Sequence, residues 1–103
     1  MSQLVYVTLP NKVDAVKLAR LIVEKGLVAG VNIIDKVTSI YRWKGSVCEE
    51  NECILIIESS EINYAELYST IIQEHSYEVP CIVSVPIVNG YEPFLDWIEK
   101  KGF

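Results

Sequence analysis

Few side chains in this 103-residue sequence are of a kind that does chemistry, and most of them fall in two short stretches. The thiols are Cys48, Cys53 and Cys81, and the single imidazole is His75. The spacing from Cys48 to Cys53 is odd, which in an unbroken strand sends the two thiols to opposite faces. With no CxxC pair present, a structural zinc site is not expected. An odd number of cysteines likewise does not suggest a disulfide framework, so three free thiols are expected. Cys81 opens a predicted strand, where it reads as a small buried hydrophobe. His75 ends an apolar helical stripe, where an imidazole packs or caps the last carbonyls. As a metal ligand, His75 needs partners from elsewhere in the chain or from another subunit. Glu49, Glu50 and Glu52 crowd a stretch facing Arg42 and Lys44. That arrangement suits either exposed cross-strand ion pairs or the carboxylate lining of a cleft between subunits. Tyr41 and Trp43 share the stretch, and exposed aromatics there call for a neighbouring subunit to pack against. GxSxG, P-loop and GxGxxG motifs are all absent, and no spacing sets a cysteine beside His75 as nucleophile and base. The reading is a protein that is not an enzyme.

The element that must position these groups is a long hairpin over Ala29–Ser60. Val31, Ile33, Val37, Thr38, Ile40, Tyr41 and Trp43 favour extended backbone. Trp43-Lys44-Gly45-Ser46 reads as the turn, because Gly45 takes positive φ without a Cβ clash. In the second arm, Cys53–Ile57 is apolar on both faces and belongs in the centre of a sheet. Cys48–Glu52 is polar on both faces and projects from it. A two-stranded projection is marginal alone in water, so another subunit is expected to hold it.

Around this hairpin the chain reads as a βαβ unit, a second βαβ unit and an extra helix. Leu4–Leu9 is a strand; Asn11 caps a helix with Asp14 in the reciprocal position, and Ala15, Leu18, Ala19 and Ile22 form its apolar stripe. Gly26 ends that helix in a left-handed cap. Ser59 or Ser60 caps a second helix with the stripe Tyr64, Leu67, Tyr68, Ile71 and His75. Cys81–Val85, bracketed by Pro80 and Pro86, is an edge strand. Pro93 suits the first turn of the last helix, which carries Phe94, Leu95, Trp97 and Ile98 and stops at Gly102. The simplest assembly is α+β: a ferredoxin-like βαββαβ domain over 1–103 with an extra C-terminal helix. Its four-stranded antiparallel sheet has helices on one face, its first and third strands central, and a projecting hairpin. Edge strands of this kind are covered by pairing with neighbouring subunits.

Composition narrows the partners. Half the residues are hydrophobic and mean hydropathy is +0.25, so apolar surface must be buried by helices or between subunits. A formal charge of −5 and a pI near 4.8 argue against nucleic acid and against anionic membrane surfaces. The sequence shows no run of about 20 apolar residues and no basic flank with a cleavage site, and reads as cytoplasmic.

Five blocks taken in order resemble the CutA divalent-cation tolerance family: Thr8-Leu9-Pro10, Ala29–Ile34, Thr38–Gly45 (TSIYRWKG), His75–Pro80 (HSYEVP) and Tyr91–Ile98. The resemblance covers nearly the whole chain, and TSIYRWKG with HSYEVP is its most specific part. It implies a ferredoxin-like homotrimer, similar in architecture to PII signalling proteins, with hairpins pairing between subunits. It also implies a role in tolerance of copper and other divalent ions, with metal or a small ligand held in inter-subunit clefts. Tyr41, Trp43, Glu50 and Tyr77 are the residues expected there. Copper-binding members use a cysteine in the first strand and a histidine before the proline–tyrosine block. Here Val7 holds the first position, Gly30 stands where another cysteine is common, and His75 remains as the metal candidate. Ser76 replaces the usual proline, and Cys81 a frequent glutamate. A PII-like signalling or protein-anchoring module with no metal role is the alternative.

Overall fold

In the computed structural model, which describes residues 1–102, the elements run β1 (Ser2–Leu9), α1 (Lys12–Glu24), β2 (Gly30–Trp43), β3 (Ser46–Ser60), a 3-10 turn (Glu61–Asn63), α2 (Tyr64–Glu74), β4 (Ile82–Pro86) and α3 (Glu92–Glu99). Phe103, counted in the expected domain, lies outside the described residues. The strands form one antiparallel sheet in the order β2-β3-β1-β4, which makes β3 and β1 central, as the two-sided apolar run Cys53–Ile57 requires. Local signals set the boundaries. The Asn11 side chain accepts from the Asp14 backbone N–H at 2.8 Å and starts α1. Gly26, at φ 71°, ends it, with Leu27 N–H donating to the Ile22 carbonyl and Gly26 N–H to that of Val23.

Two local expectations shift. Ser60 caps the 3-10 turn that precedes α2 rather than α2 itself. The last strand begins one residue late, leaving Cys81 outside it, and runs through Pro86. An edge strand tolerates a terminal proline because no partner on the outer side awaits its N–H.

The core lies between α1, α2 and one face of the sheet. Val5, Val7, Leu9, Cys53, Leu55 and Ile57 meet Ala15, Leu18, Ile22, Leu67 and Ile71, all essentially buried. Fully burying one large aliphatic side chain is worth roughly 1.5–3 kcal/mol, so this layer dominates the fold's stability. On β2, Val31 and Ile33 pack against the same core.

Beyond Ile33 the pairing slips. Ile34 is opposite Ile54 but Val37 is opposite Glu52, so β2 carries one extra residue at Asp35-Lys36, with Lys36 at φ 59°. Both Lys36 N–H, at 2.8 Å, and the Cys53 thiol, at 3.0 Å, donate to Asp35 Oδ1. Since side chains alternate along a strand, one inserted residue exchanges the faces of everything beyond it. Ser39, Tyr41 and Trp43 therefore turn away from the α1/α2 side, although Val31 and Ile33 share their odd numbering.

The third helix also lies on that far side, at the opposite end of the sheet. Glu99 accepts from Ser2 Oγ at 2.7 Å and from Ser60 Oγ at 3.0 Å, and Ile98 is fully buried. Trp97 rests over Gly30, where a Cβ would come within 3.1 Å of its ring. The expected placement of helices on one face thus holds for α1 and α2, while α3 covers part of the other. Between α3 and the projecting arms, Leu4, Ile34, Val83 and Val85 leave that face exposed and apolar.

Candidate functional site

Once the bulge has turned the outer arm of β2, two rows of side chains look the same way. Ser39, Tyr41 and Trp43 stand on β2, opposite Glu50, Cys48 and Ser46 of β3, with Glu52 further in. Tyr6 and Thr8 of β1 continue the floor, and the segment from Ser76 to Cys81, following α2, forms the far wall. The cleft they enclose has a volume of about 720 Å³, within the range of small-molecule sites.

A short chain of hydrogen bonds holds the wall. His75 is the last residue of α2's apolar stripe, and its backbone is already extended (φ −83°, ψ 140°). Nε2 lies 2.6 Å from the Thr8 carbonyl oxygen, and Tyr77 N–H donates to Nδ1 at 3.1 Å. A carbonyl only accepts and a backbone N–H only donates, so the pair of contacts fixes the Nε2–H tautomer. His75 therefore ties the wall to the end of β1, instead of capping α2's own carbonyls. The Tyr77 ring lies against it, centroids 4.7 Å apart, and the phenol donates to Glu52 Oε2 at 2.6 Å.

The interior is electronegative. Glu52 is only 8% exposed, and among the described residues no basic side chain lies within ion-pair distance of it. Burial first, then the hydrogen bond to Glu52 and the charges of Glu52 and Glu50, push the Tyr77 phenol well above the ordinary tyrosine range. Partial desolvation and then Glu50 beside it raise Tyr41 as well. At the rim, Lys44 Nζ lies 5.7 Å from the Trp43 ring centroid and 3.9 Å from Glu78 Oε2. Lys44 thus pairs with Glu78 across the mouth; among the described residues, the expected ion pairs from Arg42 and Lys44 to the Glu49–Glu52 cluster do not form.

Of the residues singled out by sequence, Tyr41, Trp43, Glu50 and Tyr77 line this one cleft, and His75 stands behind its wall. Cys48 and Cys81 also line it, whereas Cys53 points into the core, so Cys48 and Cys53 do lie on opposite faces. All three are free thiols. Of the acidic trio expected as a cleft lining, Glu50 and Glu52 line it and Glu49 does not; the spacing of two and four residues from Glu52 to Glu50 and Cys48 sets those three on one face, but only the fold buries Glu52. Tyr6 and Glu78 carried no such signal.

A metal centre finds little support within one chain. Among the described residues no three of His, Cys, Asp and Glu gather closely enough to hold an ion. Both His75 nitrogens are engaged, and Val7 and Gly30 bring no thiol. Trp97 over Gly30 also leaves no room for a side chain at that position without displacement.

The comparisons agree with the fold. The family model described as CutA1 divalent ion tolerance protein matches residues 3–101. A Thermus thermophilus relative named divalent-cation tolerance protein CutA is 37% identical over 101 residues, covering 98% of each chain. The mouse protein CutA is 37% identical over 95 residues, 92% of this chain but 54% of its own, so the chain spans about half that relative's length. Among solved structures, the PII-like protein CutA from Nostoc sp. PCC 7120 superposes with a TM-score of 0.90 at 32% identity, over 98% of this chain and 97% of that one.

Proposed function

Because the chain belongs to the CutA1 divalent ion tolerance family, we propose that it is a homotrimeric, non-catalytic protein of divalent-metal tolerance and response. Residues 1–103 form one CutA-like domain, which works in the cytoplasm. The ligand, a divalent metal such as copper or a small molecule, sits in clefts between subunits, against Tyr41, Trp43, Glu50 and Tyr77. If His75 ligates a metal, its ring must leave Tyr77 N–H, and the other ligands must come from a neighbouring subunit.

The observation that carries this reading is the uncovered hairpin together with the bare side of the sheet. Leu4, Ile34, Val83 and Val85 are 36%, 48%, 50% and 52% exposed, with Tyr41 and Trp43 at 37% and 40%, and a neighbouring subunit would cover this apolar surface. Light scattering at micromolar concentration is expected to give three times the 11.7 kDa chain mass; a value near one chain mass rejects the assembly. Trp43→Ala should weaken association by about 2–4 kcal/mol, as loss of an aromatic interface anchor does. Leu55→Ala should instead lower stability throughout, by about 2–5 kcal/mol. Sedimentation velocity under dilution separates the two.

The PII-like signalling or anchoring module is favoured by one observation: among the described residues of the single chain, no three of His, Cys, Asp and Glu gather at an ion. Titration calorimetry with Cu(II), Cu(I) and Zn(II), with His75→Ala as control, decides between the two. Heat that is lost in the variant supports metal binding at His75, and a flat titration supports the module.

A further inference from the structure

Of the two ligand kinds proposed for the cleft, the groups that one chain supplies suit the small molecule better than a metal, and a cation better than an anion. Among the described residues of one chain no three His, Cys, Asp or Glu gather closely enough to chelate an ion, and Glu50, Glu52 and Glu78 repel an anion. Glu52 is 8% exposed and accepts one hydrogen bond, from Tyr77 at Oε2; among the described residues Oε1 has no protein partner but stays open to solvent, and no basic group lies within ion-pair distance. A carboxylate that lines a concave site with no basic neighbour attracts a cation arriving from outside. The walls around it are aromatic, and aromatic faces attract alkylated cations without stripping a tight hydration shell. The chain already shows the interaction at its rim, where the Lys44 ammonium lies over Trp43 and beside Glu78.

The geometry points to a small organic ammonium ion as the ligand of this cleft, its charge set against Glu52 and Glu50 and its alkyl groups against Tyr41, Trp43 and Tyr77. Lys44 is then a built-in competitor at the mouth. The inference rests on the cleft being a ligand site that stays open in the assembled protein, and it names the chemical class of that ligand.

The probe is tetramethylammonium chloride, titrated into ¹⁵N-labelled full-length protein and followed by amide and indole NMR. Potassium chloride at equal ionic strength and neutral tert-butanol serve as comparisons. Saturable shifts are expected at the Trp43 indole and at the Glu52 and Tyr77 amides, with the Trp97 indole, at the other end of the sheet, unmoved. Glu52→Gln, which keeps an acceptor for Tyr77, should weaken binding about tenfold. Lys44→Gln should tighten it by about threefold. If Glu52→Gln loses the native spectrum, Glu50→Gln takes its place and must weaken binding. The inference is overturned by shifts that do not saturate, by an equal response to potassium or tert-butanol, or by a folded Glu52→Gln protein that binds as well as the parent. Weaker binding by Lys44→Gln overturns the competitor role. Sedimentation of the same samples keeps the two questions apart. A trimer without shifts defeats the ammonium site alone, and a monomer with shifts defeats the assembly alone.

Discussion

At the scale of single residues, the three thiols show how environment divides one chemistry into two. Desolvation, followed by the hydrogen bond to Asp35 and that residue's charge, pushes the Cys53 thiol up to about 11. Cys53 is also fully buried, so neither access nor thiolate is available to an attacking reagent near neutral pH. Cys48 and Cys81 are half-buried at the cleft. Treatment of the native protein with a chromogenic disulfide at pH 8 should therefore release two equivalents promptly and the third only on unfolding. Prompt release of three would contradict the packing of Cys53. The same contact acts on its partner in the opposite sense: the Cys53 thiol, and then the Lys36 N–H, hold the Asp35 carboxyl below the usual aspartate range.

At the scale of elements, the bulge at Asp35-Lys36 decides where the aromatic side chains go. Deleting Lys36 should restore simple alternation and swing Tyr41 and Trp43 towards the α1/α2 side. The cleft would lose two walls while the core residues stay in register. Asp35→Asn tests the lock itself. The depressed Asp35 group contributes stability above its unfolded value near 3.8, and loses it as pH falls through the lower folded value. Acid unfolding of the parent should thus show a component that the Asn variant lacks; identical acid profiles would remove Asp35 from the account. Much of the rest was legible beforehand. Asn11, Gly26, Gly45 and Pro93 announce their caps and turns, because each has a local reason to be where it is. The two-sided run Cys53–Ile57 announces a central strand. The bulge was not legible, since Asp35-Lys36 reads as ordinary polar sequence and its conformation depends on Cys53, a neighbour only after folding. The pairing of Tyr77 with Glu52 was hidden for the same reason. His75 was half legible: its place at the end of α2 was plain, but its partner, the Thr8 carbonyl, belongs to another element.

At the scale of the whole molecule, the hairpin draws the chain out to 44 Å against a cross-section of 26 × 23 Å. Its tip, Lys44-Gly45, divides the sequence into two parts of similar weight. The first part supplies β1 and β2, the second β3 and β4, and the sheet order β2-β3-β1-β4 alternates between them. No strand has a hydrogen-bonded neighbour from its own part. A chain severed after Lys44 should accordingly behave as a matched pair of fragments. Residues 1–44 and 45–103, prepared separately, are expected to show little ordered sheet by circular dichroism, since neither can make a single strand pairing of the native kind. Mixed at equal concentration, they should recover the sheet spectrum together and cooperatively, at a rate that depends on both concentrations. Ordered native-like sheet in either fragment alone would refute this. The half that carries Tyr41 and Trp43 and the half that carries Glu50, Glu52 and Tyr77 would then be inert apart, and the cleft would exist only in their complement.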